Sequence, residues 1–324
     1  MNEKRRAPLF PRRRALRWLA VSGVGAALAA CGAPLTAQQS EFQETGAATP
    51  EPPAAGETYL AVARGEDPAV ITERAVAALG GMERFVKKDF DVIIKPNICT
   101  DFYTYEYAAT TNPVVVATLV KLALGAGARR VRVMDYPFGG TAKSAYAKSG
   151  IEDAVKAAGG EMEVMNSSKF RLTKIPNGKA IQEWVVYQEA LKADLLINVP
   201  IAKHHSLARV TLGGKNMMGL IQDRGGIHAE MGERIADLVS LFRPGLTVVD
   251  AVRTLMRNGP TGGSLDDVKL NNTVIASHDI VAADAYAATF FDLQGRDVSY
   301  VRAAAERGLG TLDLEAIKIE EIQA

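Results

Sequence analysis

Four short apolar runs, each closing on a polar or charged group, constrain this chain more than any other feature. They are Asp91-Val92-Ile93-Ile94 before Lys95-Pro96-Asn97, Val131-Arg132-Val133-Met134 before Asp135, Leu195-Leu196-Ile197-Asn198-Val199 before Pro200, and Leu246-Thr247-Val248-Val249 before Asp250. Apolar runs this short are strands covered on both faces. Between them lie segments with apolar residues at helical spacing, at 68–79, 113–124, 230–242 and 280–291. Asp67 and Asn112 stand as N-caps for the first two, each followed by Pro at the first helical position. This alternation predicts an α/β fold, with a mostly parallel sheet covered by helices on both faces. Residues 168–188 break the rhythm. An alternating stretch, a Pro176-Asn177-Gly178 turn and a second apolar stretch predict a β-hairpin inserted in the core.

In open α/β sheets, ligands bind beyond the carboxyl ends of the parallel strands. That rule brings Lys95, Asn97, Asp135 and Asp250 to one edge, together with Lys203, His204 and His205, which hold two of the four histidines. Adjacent side chains of an extended segment point to opposite sides, so one histidine of the pair enters the site and the other packs elsewhere. Lys203 opposes protonation of its neighbour and favours a neutral imidazole, which accepts protons or binds metals. Further on, Gly213-Gly214-Lys215-Asn216 sets two glycine N–H groups beside a cation and an amide. Successive backbone N–H groups make a nest for carboxylate or phosphate. The spacing is not that of a P-loop, and no G-x-G-x-x-G opens a helix, which argues against a dinucleotide cofactor. Residues 259–263 form a second flexible loop, where Gly262 and Gly263 are anion contacts or parts of a plain turn. Tyr103, Tyr105 and Tyr107 either cover the site or pack their own loop. His205, His228 and a carboxylate such as Asp135 or Asp250 compose a candidate divalent-metal set, without the short spacing that would mark one.

The first thirty residues are a targeting segment. Arg12-Arg13-Arg14-Ala15-Leu16-Arg17 is a basic region and residues 18–30 a short apolar one, together similar to a twin-arginine export signal. Leu28-Ala29-Ala30-Cys31 resembles a bacterial lipobox, in which Cys31 is lipidated and becomes the mature N-terminus. The expected organisation is therefore a signal peptide over 1–31, a disordered linker over 32–57 rich in Ala, Pro and Glu, and a folded domain over 58–324. The expected location is the outer side of the cytoplasmic membrane, held by lipid, with the twin-arginine machinery as export partner. Residues 1–30 hold seven of the 38 Lys/Arg and one of the 37 Asp/Glu, leaving 31 basic against 36 acidic residues, a formal net of −5. That balance argues against a nucleic-acid partner. With Cys31 at the lipobox, Cys99 is the other of two cysteines, so this chain alone holds no disulfide framework and no cysteine-ligated iron–sulfur cluster.

Several of these blocks together resemble one family. The stretch from Asp194 to His205, with Thr211 and Lys215-Asn216-Met217-Met218-Gly219, is similar to the signature of the domain of unknown function 362 (DUF362) family. Lys95-Pro96-Asn97, Thr110-Thr111-Asn112-Pro113, the 259–263 loop and Ser277-His278-Asp279 through Asp284 match its other blocks in order. The resemblance implies that His205, not His204, is the recurrent histidine, with Lys203 two residues before it. Ile201 stands where many relatives carry another lysine. Some relatives carry cysteine-rich ferredoxin modules, which this chain lacks, and the resemblance implies no established reaction.

Two expectations follow. In one, an enzyme acts on a small anionic ligand or cofactor. There Lys203 and Lys215 hold the anion, and His205 is general base or metal ligand, oriented by Asp135 or Asp250, with Lys95, Asn97, Thr211, Gly213, Gly214, Asn216, Gly262 and Gly263 around it. In the other, the same pocket belongs to a surface lipoprotein that captures an anion or a metal without chemistry.

Overall fold

The structure, a computed structural model, describes Ala54 and residues 57–324. The expected signal peptide and lipobox (1–31), with Cys31, lie outside the described residues, as does nearly all of the expected linker.

In chain order the elements are β1 (Leu60–Arg64), α1 (Pro68–Ala78), β2 (Asp91–Pro96), α2 (Pro113–Gly125), β3 (Arg130–Val133), α3 (Ala142–Ser149), α4 (Ile151–Ala157) and β4 (Glu161–Met162). Then come β5 (Phe170–Lys174), β6 (Glu183–Tyr187), α5 (Gln188–Lys192), β7 (Leu195–Val199), β8 (Ile201–His205), β9 (Arg209–Thr211), α6 (Gly213–Asn216) and α7 (Arg224–Ile227). The chain closes with α8 (Met231–Phe242), β10 (Leu246–Leu255), β11 (Val268–Ser277), α9 (Ile280–Ala288), α10 (Ser299–Glu306) and β12 (Ile319–Gln323). The caps form as the sequence predicts. Asp67 accepts from Ala69 N at 2.8 Å and Asn112 from Val114 N at 2.9 Å, each quenching one orphan donor of its helix.

The main sheet runs β12-β1-β11-β10-β7-β2-β3-β4, with β8 also beside β10 and β9 beside β8. All neighbours on that path are parallel except where β11 inserts antiparallel between β1 and β10. Successive strand residues alternate between two cores. Leu60, Val62, Ile93 and Leu196 face one, with Ile235 of α8, Ala282 of α9 and Val301 of α10. Ala61, Val92, Ile94 and Ile197 face the other, with Ile71 of α1, Leu119 of α2, Tyr146 of α3 and Val155 of α4. Helices thus cover both faces, as the unbroken apolar runs require. The expected hairpin is β5–β6, a separate two-stranded sheet in register from Phe170↔Tyr187 to Lys174↔Glu183.

Two boundaries differ from the sequence expectation, and both matter to the site. Pro200 ends β7, but the strand resumes at once as β8, so Lys203 and His205 belong to a strand rather than to the loop beyond one. Nor does β10 stop at Val249. It continues to Leu255 because β8 supplies a second parallel partner, with Asp250 opposite Ile201 and Leu255 opposite Lys203.

Candidate functional site

A cavity of about 420 Å³ opens beside the ends of β2 and β7 and the β8–β9 pair, a size suited to a small ligand. Its floor is a saturated polar network centred on Asn216, which is 1% exposed. Asn216 Oδ1 accepts from Lys95 Nζ at 2.8 Å and from Asn97 Nδ2 at 3.0 Å. Its Nδ2 donates to Asn198 Oδ1 at 2.8 Å and Lys95 O at 3.1 Å. An amide offers two acceptor sites and two donors, and here all four are used. Lys95 also donates to Pro96 O at 2.8 Å and pairs with Asp135 Oδ1 at 2.8 Å. Asp135 in turn accepts from the Ile98 and Tyr136 N–H groups. Burial pushes the Lys95 ammonium down to about 8, against the pull of Asp135.

The wall comes from β8 and β9. Lys203 and His205 are two residues apart on one strand and so share a face, while His204 points away and accepts from Gly259 N at 3.1 Å. Lys203 Nζ donates to Ala109 O at 2.6 Å and Asn97 Oδ1 at 3.0 Å, with Cys99 Sγ at 3.4 Å. His205 Nδ1 accepts two backbone N–H groups, from Leu207 at 3.1 Å and Ala208 at 3.2 Å. Burial first, then Lys215 and Lys203, push its pKa down to about 3. The ring is therefore neutral at physiological pH, and with Nδ1 occupied as an acceptor its hydrogen sits on Nε2. Thr211, directly opposite Lys203, is 4% exposed, and its Oγ1 has no hydrogen-bond partner.

The remaining cations are Lys215 of α6 and Arg224 of α7. Lys215 is buried, and its Nζ donates to Met218 Sδ at 3.6 Å. Burial, then the charges of Lys203 and Arg224, push it down to about 8. The Arg224 guanidinium donates to Tyr136 O and lies 4.9 Å over the Tyr136 ring, and burial lowers its pKa. Four cations thus line one cavity with one carboxylate, and that carboxylate is committed to Lys95. Among the described residues, Lys203, Lys215 and Arg224 form no ion pair.

Lys95, Asn97, Asp135, Lys203, His205, Thr211, Lys215, Asn216 and His228 all line this cavity. The other expected contacts do not. Asp250 lies inside β10, where its oxygens accept from Asn112 N at 2.7 Å and Val252 N at 3.0 Å, and burial pushes it up to about 6. It caps a helix and a strand bend instead of facing the cavity. The Gly213 and Gly214 N–H groups do form an anion nest, but Asp284 of α9 fills it, at 2.6 and 2.8 Å. Gly262 and Gly263 pack against Leu255 and Tyr103, leaving Pro260 as the member of that loop on the cavity wall. Tyr103 stacks on Tyr107 at 4.8 Å and neither lines the cavity, so these rings pack their loop. Asp135 serves Lys95 and does not orient His205. The His205 and His228 rings are 6.5 Å apart, and among the described residues no group of three or more His, Cys, Asp or Glu side chains is placed to hold a metal.

Several residues of the site escape sequence reasoning. Arg224 sits in a glycine-flanked turn with no periodic signal, and Cys99, Tyr136 and Phe138 join the lining only through the fold. Gly219 had a signal, since it closes the Lys-Asn-Met-Met-Gly block. A Cβ there would collide with Asp135 Oδ1 and Lys95 Nζ, and would stand 2.6 Å from Lys95 Cε, so only glycine lets the pair lie against that turn. Asp284 had the same kind of signal. Burial pushes it up to about 7, opposed by the two glycine donors.

Fold and cavity define an α/β protein with a mostly parallel sheet and a cation-rich pocket at the strand ends. The domain of unknown function DUF362 matches residues 92–289, more than half of the chain, and the chain belongs to that family. A curated relative, the thylakoid-associated protein sll1697 of Synechocystis sp., is 25% identical over 240 residues, covering 71% of this chain and 72% of that protein. Among solved structures, a lactate racemase apoprotein from Thermoanaerobacterium thermosaccharolyticum is similar with a TM-score of 0.44 at 13% identity, over 72% of this chain and 57% of that one. The chain thus spans little more than half the length of that solved protein.

Proposed function

We propose that this chain is an exported, lipid-anchored protein whose α/β domain binds a small anion in the cavity of Lys203, Lys215 and Arg224. The observation that carries the reading is the charge imbalance. Three buried or half-buried cations face one cavity without a carboxylate of their own, and desolvated charges are held in proteins when something compensates them. The orphan Thr211 hydroxyl supports the same reading, because a buried polar atom without a partner is rare and asks for one. His205 then acts as a neutral donor through Nε2–H rather than as a base or a metal ligand, since its other nitrogen is taken by the backbone.

The setting rests on the N-terminal sequence. Arg13-Arg14 and the Leu28 to Cys31 block direct the protein through the twin-arginine machinery to a lipid anchor on the outer side of the cytoplasmic membrane. The thylakoid association in the name of the Synechocystis relative supports a membrane-proximal setting. Among the described residues no helix is long and apolar enough to cross a membrane.

The test is thermal unfolding of the full chain in detergent with inorganic phosphate, sulfate and small carboxylates, beside Lys215→Met and Arg224→Met. An anion-dependent rise in melting temperature that both variants diminish is expected. Equal responses in wild type and both variants would overturn the reading.

A further inference from the structure

Three lysines reach this cavity, and they are not equivalent. Lys95 has a carboxylate, an amide oxygen and a carbonyl within 2.8 Å. Lys203 has a carbonyl at 2.6 Å and an amide oxygen at 3.0 Å. Both amino groups are held by oxygen acceptors. Lys215, also buried, has a thioether at 3.6 Å and no oxygen acceptor. A buried ammonium without acceptors loses most of what hydration gives it, and two neighbouring cations add repulsion. The neutral amine suffers neither cost. Desolvation beside other cations is how proteins activate a lysine as a nucleophile.

We infer that Lys215 is a nucleophile, forming an imine with the carbonyl carbon of a small carbonyl-bearing acid, such as a 2-oxo acid, held in the cavity. This rests on the anion-pocket reading above. Arg224 presents a planar fork suited to the carboxylate, and a 2-oxo acid sets its ketone one bond away, within reach of a neighbouring amine. In the step, the Lys215 nitrogen bonds to the carbonyl carbon and the carbon–oxygen bond breaks. The oxygen leaves as water with the two hydrogens given up by nitrogen, and the imine then takes one proton to become an iminium. No electrons are transferred, so no oxidant or reductant is required. The lowered pKa of Lys215, about 8, agrees with this role; Lys95 is lowered to the same value, so what singles out Lys215 is the lack of an oxygen acceptor at its nitrogen.

The experiment uses the full chain in detergent with pyruvate and sodium cyanoborohydride, followed by peptide mass mapping. Lactate, which lacks the ketone, is the control. Lys215 is expected to carry the reduced carboxyethyl group about tenfold above any surface lysine and above Lys95, whose nitrogen is already committed to three oxygens. Lys215→Arg abolishes this labelling, and excess phosphate protects the wild type, which keeps the test sound should the variant fold poorly. If pyruvate and phosphate raise the melting temperature while Lys215 is labelled no more than surface lysines, the imine is overturned and the anion pocket stands. Selective labelling that phosphate does not suppress upholds the nucleophile and overturns the anion pocket. If neither ligand shifts melting and labelling is unselective, both fall.

Discussion

Lys203 and Thr211 face each other across the β8–β9 pair, yet their polar atoms fare oppositely. The lysine donates to Ala109 O and Asn97 Oδ1, whereas the threonine hydroxyl, equally buried, bonds to nothing. An isosteric replacement separates the two roles of such a hydroxyl. Thr211→Val is expected to leave the ligand-free protein as stable as wild type or slightly more so, because no hydrogen bond is lost. Anion affinity is expected to fall by about 1 kcal/mol, roughly fivefold, the net worth of one hydrogen bond. Thermal unfolding and titration with phosphate measure both, and a large loss of stability without ligand contradicts the unpartnered geometry.

The Lys95–Asp135 pair depends on a missing methyl group. Because a Cβ at Gly219 collides with both partners, Gly219→Ala is expected to displace them and disturb the pair. Breaking a buried ion pair costs about 3 kcal/mol or more, since it leaves uncompensated charge inside. Denaturant unfolding is the measurement, and a change under about 1 kcal/mol would mean that the turn yields without disturbing the pair.

Asn216 satisfies four buried hydrogen-bonding groups at once, two as acceptor and two as donor. Asn216→Leu removes both the acceptor for Lys95 and Asn97 and the donor to Asn198. The expected loss is about 3 kcal/mol or more, from several buried groups left unsatisfied together. Anion binding should weaken as well, because Asn97 also fixes Lys203. Circular dichroism melts and titration would show the two losses together, and stability close to wild type would contradict the hub.

For Lys215 the folded pKa, about 8, is below the unfolded value of 10.5. The native state therefore releases this proton first, and between these values the unfolded chain binds more protons. Stability consequently rises with pH across that window, by up to about 3 kcal/mol from this group, and the gain is lost as pH falls through about 8. Lys95 shifts in the same direction, so the difference between wild type and Lys215→Met isolates the contribution. A bound anion prefers the ammonium form, so phosphate affinity should fall as pH rises above about 8, while trapping of pyruvate accelerates. Parallel wild-type and Lys215→Met profiles would remove Lys215 from both effects.

The proposed anchor has its own test. Cys31→Ser is expected to move the protein from the membrane fraction to the soluble exported fraction, and replacing Arg13 and Arg14 by lysine to hold it in the cytoplasm. Fractionation and immunoblotting measure both, and membrane retention of Cys31→Ser would refute lipidation as the anchor.

By itself the sequence determined the alternation of buried strands and helices, both helix caps, the inserted hairpin and the collection of Lys95, Asn97, Lys203, His205, Thr211, Lys215 and Asn216. These are local signals. Apolar runs dictate burial on two faces, a parallel sheet turns its carboxyl ends to one edge, and polar groups just past such runs meet there. Tertiary structure alone decided what each polar group does on arrival. Whether the Gly213–Gly214 nest was open depended on Asp284, 71 residues further along. Whether Asp250 ended a strand depended on β8 arriving beside it, and whether a lysine was locked or bare depended on carbonyls from distant loops. Hydrogen bonds are satisfied by proximity in space, and a linear spacing carries no record of which acceptor arrives first.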